Sequence, residues 1–262
     1  MAVTRALIPC GGKGTRMLAL TRGAAKELIP VGGVPVVVRV LEECAASGIR
    51  DVLVVIAPDK EEIVEALEPI AGRDGMPATI SFIVQNEARG LADAIRMGRS
   101  FAAGQPMVVA LPDNLFAGAD PGVKQVVDTF AATRKNVVAV VEISAAEAAR
   151  RGPTSVYAGS LNGDEFAITT IPNKRDRTAT FDTGGAKSAF TGVGRYVFSA
   201  DVFGIIDEVE KELEAGAELD DVPVMQRLLA KGELTGRRIR GKFYDAGLVD
   251  GYHEANGDFG GR

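Results

Sequence analysis

What the chain lacks narrows it first. It has one histidine, His253, and two cysteines, Cys10 and Cys44. So few thiols provide neither a disulfide framework nor metal-type cysteine spacing. A single histidine near the C-terminus leaves little support for a histidine-based triad or a zinc site. No apolar run approaches the ~18 residues that a membrane span requires. The apolar stretch before the first glycines is too short for a signal-peptide core. A reducing cytoplasm is the expectation. The net charge of −5 and pI near 5.2 argue against a general nucleic-acid or membrane-surface binder. One local absence points the other way. Between Met1 and Lys26 there is no acidic residue, against five basic ones: Arg5, Lys13, Arg16, Arg22 and Lys26.

What is present reads as a globular α/β protein. An apolar share of 46% and a charged share of 25% are ordinary. At 262 residues the chain is long enough for one large domain or two small ones. Short β-branched runs at 6–9, 51–57, 79–84, 106–111 and 136–143 predict strands. Between them, helical spacing covers 35–47, 59–71 (with Asp59 placed to cap it), 90–103 and 123–134. Such alternation predicts right-handed βαβ units and a mostly parallel sheet. After about residue 150 the rhythm changes. Shorter strands are expected at 154–158, 166–171, 191–199, 235–240 and 243–244, with helices at 201–214, 221–231 and 248–256. A polar stretch over 173–189 reads as a mobile loop. The expected division is one domain over 1–262, with a nucleotide-type half over 1–150 and an acceptor-binding half over 151–262.

The first strand runs straight into Gly11-Gly12-Lys13-Gly14-Thr15-Arg16, followed by Lys26-Glu27-Leu28-Ile29-Pro30. Glycines at the carboxyl end of a strand, flanked by cations, suit an anion such as phosphate. The dinucleotide pattern G-x-G-x-x-G fails, because Met17 stands where the third glycine belongs. The Walker A pattern fails too, since Lys13 precedes Gly14 rather than Ser or Thr.

What remains resembles the sugar-1-phosphate nucleotidylyltransferases, most closely the bacterial UTP–glucose-1-phosphate uridylyltransferases. Their G-x-G-T-R…K-E-x-x-P signature is matched by Gly12 to Arg16 and Lys26 to Pro30. Gln85 and Gly90-Leu91-Ala92 match the base-reading segment, and Leu111-Pro112-Asp113-Asn114 the strand end with a magnesium aspartate. Lys174 matches the lysine of V-E-K-P that holds the sugar phosphate. Gly194 to Phe198 matches the following strand, and Tyr244-Asp245-Ala246-Gly247 the segment with the second magnesium aspartate. One such match is weak, and a lone glycine loop is often only a tight turn. Six in order are strong.

The resemblance implies a Rossmann-like three-layer α/β/α sandwich with a smaller acceptor-binding region, and Mg²⁺ as cofactor. It implies a homodimer or homotetramer. The reaction implied is attack of a sugar-1-phosphate oxygen on the α-phosphorus of a nucleoside triphosphate, UTP favoured over dTTP, with release of pyrophosphate. In that scheme Gly11, Gly12, Gly14, Thr15 and Arg16 approach the triphosphate, and Gln85 and Gly90 contact the base. Arg16, Lys26 and Asp113 are catalytic, Asp113 and Asp245 hold the metal, and Ser155, Asn173 and Lys174 bind the acceptor. Two acceptor positions depart from the pattern. Asn173 replaces the sugar-binding glutamate, and Thr154-Ser155 aligns with a Y-G pair. A different sugar or cyclitol phosphate, a thymidylyltransferase, and a non-catalytic nucleotide-sugar-binding regulator are therefore the alternatives.

Overall fold

The computed structural model describes residues 2–261 apart from Lys13, Thr15, Arg16, Arg22, 152–155, 174–187 and Ala215. The chain starts with β1 (Arg5–Cys10), a one-turn helix α1 (Leu18–Thr21) and a tight turn over Lys26–Leu28. A two-residue hairpin, β2 (Pro30–Val31) and β3 (Val34–Pro35), leads into α2 (Val36–Ala46). That helix buries Val36, Val37, Val40, Leu41 and Cys44, the one-sided stripe that its spacing predicts. Next come β4 (Asp51–Ile56), α3 (Glu61–Leu67) and β5 (Thr79–Val84). The residue that starts α3 is Lys60, not Asp59, and it makes no side-chain cap. The helix expected over 90–103 is two short ones, α4 (Leu91–Met97) and α5 (Arg99–Ala102), parted at Gly98 where Leu7 and Met107 press close.

The middle of the chain supplies β6 (Met107–Ala110), β7 (Asn114–Ala117), α6 (Gly122–Thr133), β8 (Asn136–Ser144) and α7 (Ala145–Arg151). Of the strand expected at 154–158, residues 154 and 155 lie outside the described residues and Tyr157 makes an isolated antiparallel bridge to Phe190; the strand itself, β9, is Ala158–Asn162, followed by β10 (Glu165–Thr170) and β11 (Ser188–Phe198). The chain closes with α8 (Val202–Lys211), α9 (Asp221–Ala230), β12 (Leu234–Arg238), β13 (Lys242–Asp245) and α10 (Val249–Gly260). Among the described residues no helix is long and apolar enough to cross a membrane.

One nine-stranded sheet runs β5-β4-β1-β6-β11-β8-β12-β10-β9. The pairings make seven strands point one way; only β11 and β10 are reversed. Apolar side chains pack on both faces, so the sheet is the middle of three layers. One core joins it to α2, α3, α6, α7 and α10, the other to α4, α8 and α9. The expected Rossmann-like sandwich is what forms. A separate ribbon follows the end of β6, where β13 pairs antiparallel with β7 and sets Asp245 opposite Asn114.

Candidate active site

The carboxyl ends of β1, β4, β5 and β6 share one rim, the place where an open parallel sheet binds ligands. There β1 hands over to Gly11 and Gly12. Gly14 takes a left-handed backbone at φ 61°, and Met17 N–H donates to its carbonyl at 2.9 Å. A side chain at Gly14 would also strike the stem of Lys26, 3.2 Å from its Cγ and Cδ. Lys26 thus lies across the loop because position 14 is glycine. Thr15 and Arg16 lie outside the described residues.

The Lys26 ammonium sits 2.5 Å from Asp113 Oδ2. Burial opposes that charge, but the Asp113 carboxylate outweighs it and holds the ammonium above its ordinary pKa. The other oxygen, Oδ1, accepts from Asn114 Nδ2 at 3.0 Å. Asn114 is fixed in turn, its Oδ1 accepting from Gly194 N–H at 2.8 Å.

Beneath this turn Arg195 is completely buried. Its guanidinium donates to Leu111 O (2.9 Å), Gly194 O (2.8 Å), Asn114 O (2.7 Å) and both oxygens of Glu43 (3.1 and 2.7 Å). Every N–H of the fork is used. Arg195 therefore clamps the carbonyls on either side of Asp113, and Glu43 supplies the counter-charge. Neither residue stands out in the sequence as more than a strand or helix position.

Asp245 reaches the same place through the ribbon. A Cβ built on Gly247 would lie 2.8 Å from Asp113 Oδ2 and 3.2 Å from Asp245 Oδ1, so both carboxylates flank one point that only glycine leaves open. Among the described residues no group of three or more His, Cys, Asp or Glu is placed to hold a metal ion. Two hard oxygen donors short of a full cage fit Mg²⁺, which keeps waters and substrate oxygens in its shell. They do not fit zinc.

A further unforeseen residue is Lys60. Its ammonium donates to Cys10 O at 2.8 Å, to Gly12 O at 2.7 Å and to both oxygens of the buried Glu27 at 3.0 and 2.9 Å. Burial drives the Glu27 carboxyl above its ordinary value and Lys60 pulls it part of the way back. The effect is structural: the carbonyls of Cys10, at the end of β1, and of Gly12, in the loop, are turned toward Lys60, and the turn that carries Lys26 is tied to the same point.

Gln85, at the end of β5, is buried, and Gly90 has φ 109° with its missing Cβ pointing at the Leu219 carbonyl. Gly11, Gly12, Lys26, Gln85, Gly90 and Asp113 line one cavity of about 470 Å³. That volume is ordinary for a small-molecule site. Asp245 lines another, of about 890 Å³, together with Val141, Ile143 and Tyr244. The two aspartates therefore stand between two cavities. Of the expected acceptor residues, Asn173 is exposed just beyond β10 and does not line either cavity, whereas Ser155 and Lys174 lie outside the described residues.

This architecture places the chain among the α/β proteins that bind nucleotides beyond the carboxyl ends of a parallel sheet. Within that class, residues 5–260 match the family described as Nucleotidyl transferase, and the chain belongs to it. A UTP–glucose-1-phosphate uridylyltransferase of Bacillus subtilis is 26% identical over 95% of this chain and 88% of its own. The crystal structure of a UDP-glucose pyrophosphorylase complexed with UDP-glucose superposes with a TM-score of 0.80 at 22% identity, over 98% of both chains. A UTP-bound UGPase from Acinetobacter baumannii superposes with a TM-score of 0.79 at 20% identity, over 98% of this chain and 93% of its own.

Proposed function

We propose that this nucleotidyl transferase joins a pyrimidine nucleoside triphosphate, UTP before dTTP, to a sugar-1-phosphate and releases pyrophosphate. The observation that carries the reading is the position of Asp113 and Asp245, converging on Gly247 with one cavity on either side. Similarity to uridylyltransferases over nearly the whole chain supports the choice of substrates.

The acceptor's phosphate oxygen attacks the α-phosphorus, and the bond to the β-phosphate oxygen breaks. No protein nucleophile is needed, so the residues work by alignment and charge. The loop Gly11 to Arg16 holds the triphosphate through its backbone N–H groups, and the Gly12 carbonyl is drawn off toward Lys60. Lys26 neutralises charge beside the reacting centre, and Arg16 grips the outer phosphates with its planar fork. Gln85 and Gly90 receive the base. Asp113 and Asp245 hold Mg²⁺, which when bound supplies positive charge to phosphate oxygens. Lys174, Ser155 and Asn173 receive the acceptor. An uncharged amide at 173 can donate to a hydroxyl as well as accept from it, which suits an acceptor other than glucose-1-phosphate.

The test is pyrophosphate release over a matrix of UTP, dTTP, CTP, ATP and GTP against a panel of sugar-1-phosphates and cyclitol phosphates. The expected result is turnover with UTP or dTTP and a sugar-1-phosphate, dependent on Mg²⁺. Asp113→Asn should cut the rate roughly 100-fold or more, comparable to losing a preorganised charge stabiliser. Full activity in that variant, or no pyrophosphate from any pair, would overturn the reading.

A further inference from the structure

An amide can meet a ligand with either end, as donor or acceptor, and at Gln85 the choice is already made. Its Nε2 donates to Asp93 Oδ2 at 2.6 Å. A carboxylate has only acceptors, so the nitrogen must face Asp93 and the oxygen must face away. That oxygen lies over the loop, 3.0 Å from where a Cβ on Gly11 would stand. It makes no hydrogen bond among the described residues, and it is not sealed off either. The buried side-chain nitrogen or oxygen without a partner among those residues is Arg237 Nε, far along the chain on β12. Gln85 Oε1 therefore opens into the cavity that Gly11 and Gln85 both line.

Asp93 is itself held firmly. It is 5% exposed, on the first turn of α4. Its Oδ1 accepts from Arg96 Nη2 at 2.6 Å, and Arg89 Nη1 stands 3.9 Å away. Arg96 is gripped on its other side by Glu210 of α8, which also accepts from Arg89 at 3.0 Å. The network fixes Asp93, and Asp93 fixes the amide.

We propose that Asp93 determines which pyrimidine this enzyme accepts, by holding Gln85 with its amide oxygen toward the base. Uracil and thymine carry a proton on ring nitrogen 3 and can donate it to Gln85 Oε1. Cytosine has a bare nitrogen at that position, and its lone pair opposes the oxygen. Such a mismatch leaves two buried acceptors unpaired, the arrangement by which polar sites reject near-isosteres. Asp93 is a specificity residue acting through Gln85, and the inference rests on the base being received at Gln85 as proposed above.

Asp93→Asn is the sharpest test. The new amide turns its oxygen to Arg96 and its NH₂ to Gln85, which must then turn over and present its own NH₂ to the cavity. Asp93→Ala releases the Gln85 amide to rotate, and Asp93→Glu keeps a carboxylate. UTP, dTTP and CTP are compared by kcat/KM, and in parallel by calorimetric binding. Wild type and Asp93→Glu should both favour UTP over CTP. In Asp93→Asn and Asp93→Ala that ratio should fall by at least about 10-fold, with CTP turnover rising in absolute terms for Asp93→Asn. A folded Asp93→Asn or Asp93→Ala that keeps the wild-type ratio overturns the proposal, as does a wild type that accepts CTP as well as UTP. Should the wild type release no pyrophosphate from any pair, the functional reading fails, and the binding ratios still decide the role of Asp93.

Discussion

Lys60 shows how much of this site depends on single residues that pass unnoticed in a sequence. A lone lysine after Pro58-Asp59 looks like a solvated charge. Its partners are Glu27, 33 positions away, and Cys10, 50 away, and nothing local reveals either contact. Arg195 is hidden in the same way, with Glu43 152 positions distant. By contrast Gly14, Lys26, Gln85 and Asp113 were legible because motif spacing holds them in fixed order along the chain, whatever their partners. Lys60→Met should leave the Glu27 charge buried and unpaired, and lower stability by about 3–5 kcal/mol in urea denaturation. Adding Glu27→Leu to that variant should recover much of the loss, because a matched apolar pair carries no stranded charge. The two thiols make a simpler prediction. Cys10 and Cys44 are both fully buried; burial pushes the Cys44 thiol up to about 12 and raises Cys10 as well. Neither should react with a thiol-specific reagent near neutral pH in the native protein, and both should react in denaturant.

The elements carry the next level of organisation. The sequence shows the strand at 106–111 that runs on toward Asp113 and the short one at 243–244 before Asp245, but not the ribbon that brings the two aspartates together. β7 is only four residues long, and its pairing with β13 depends on residues more than a hundred positions apart. Register in that ribbon places the aspartates, and Gly247 keeps the space between them open. Gly247→Ala should lower kcat by on the order of 10- to 100-fold and raise the Mg²⁺ requirement, since small displacements of aligned groups are costly. Steady-state assays over a range of Mg²⁺ concentrations read out both effects. A second clasp joins the β9–β10 hairpin to β12. Asp164 meets Arg237 Nη2 at 3.3 Å and Arg238 Nη2 at 3.0 Å, and also pairs with Arg240. Arg240 does most to hold the Asp164 carboxyl below its ordinary 3.8, against the pull of burial and with help from its neighbours. A lowered folded-state value means that the unfolded chain binds the proton more readily. The stabilisation is therefore present above pH 3.8 and lost as pH falls through the folded-state value. Asp164→Asn should flatten the acid limb of thermal stability between roughly pH 2 and 4 and leave its slope near neutrality unchanged. Melting curves across that range decide it.

At the scale of the whole molecule, strand–helix alternation was enough to read a three-layer α/β sandwich, because each βαβ unit is a local event with its own periodicity. The insertion of β11 between β6 and β8 was not legible, since strand order in a sheet is settled by long-range pairing. A binding site assembled from so many segments should couple ligand to global stability. UTP with Mg²⁺ at 100 times its dissociation constant should stabilise the fold by about 2.7 kcal/mol. Differential scanning calorimetry with and without Mg²⁺–UTP measures it, and Asp113→Asn should show a smaller gain.

The sheet order also has a consequence in time. On a ribosome adding about 5–20 residues per second, the parallel block β5-β4-β1-β6 has all its strands within the first part of synthesis. β8 emerges soon afterwards with neither neighbour yet made, since β11 and β12 both come later in the chain. An apolar strand must therefore wait, on the order of seconds, for its partners to be translated. Asp245 arrives later still, on β13. A nascent chain can thus possess the glycine loop, Lys26 and Asp113 while lacking the second carboxylate, and it acquires the pair only once β13 has been made.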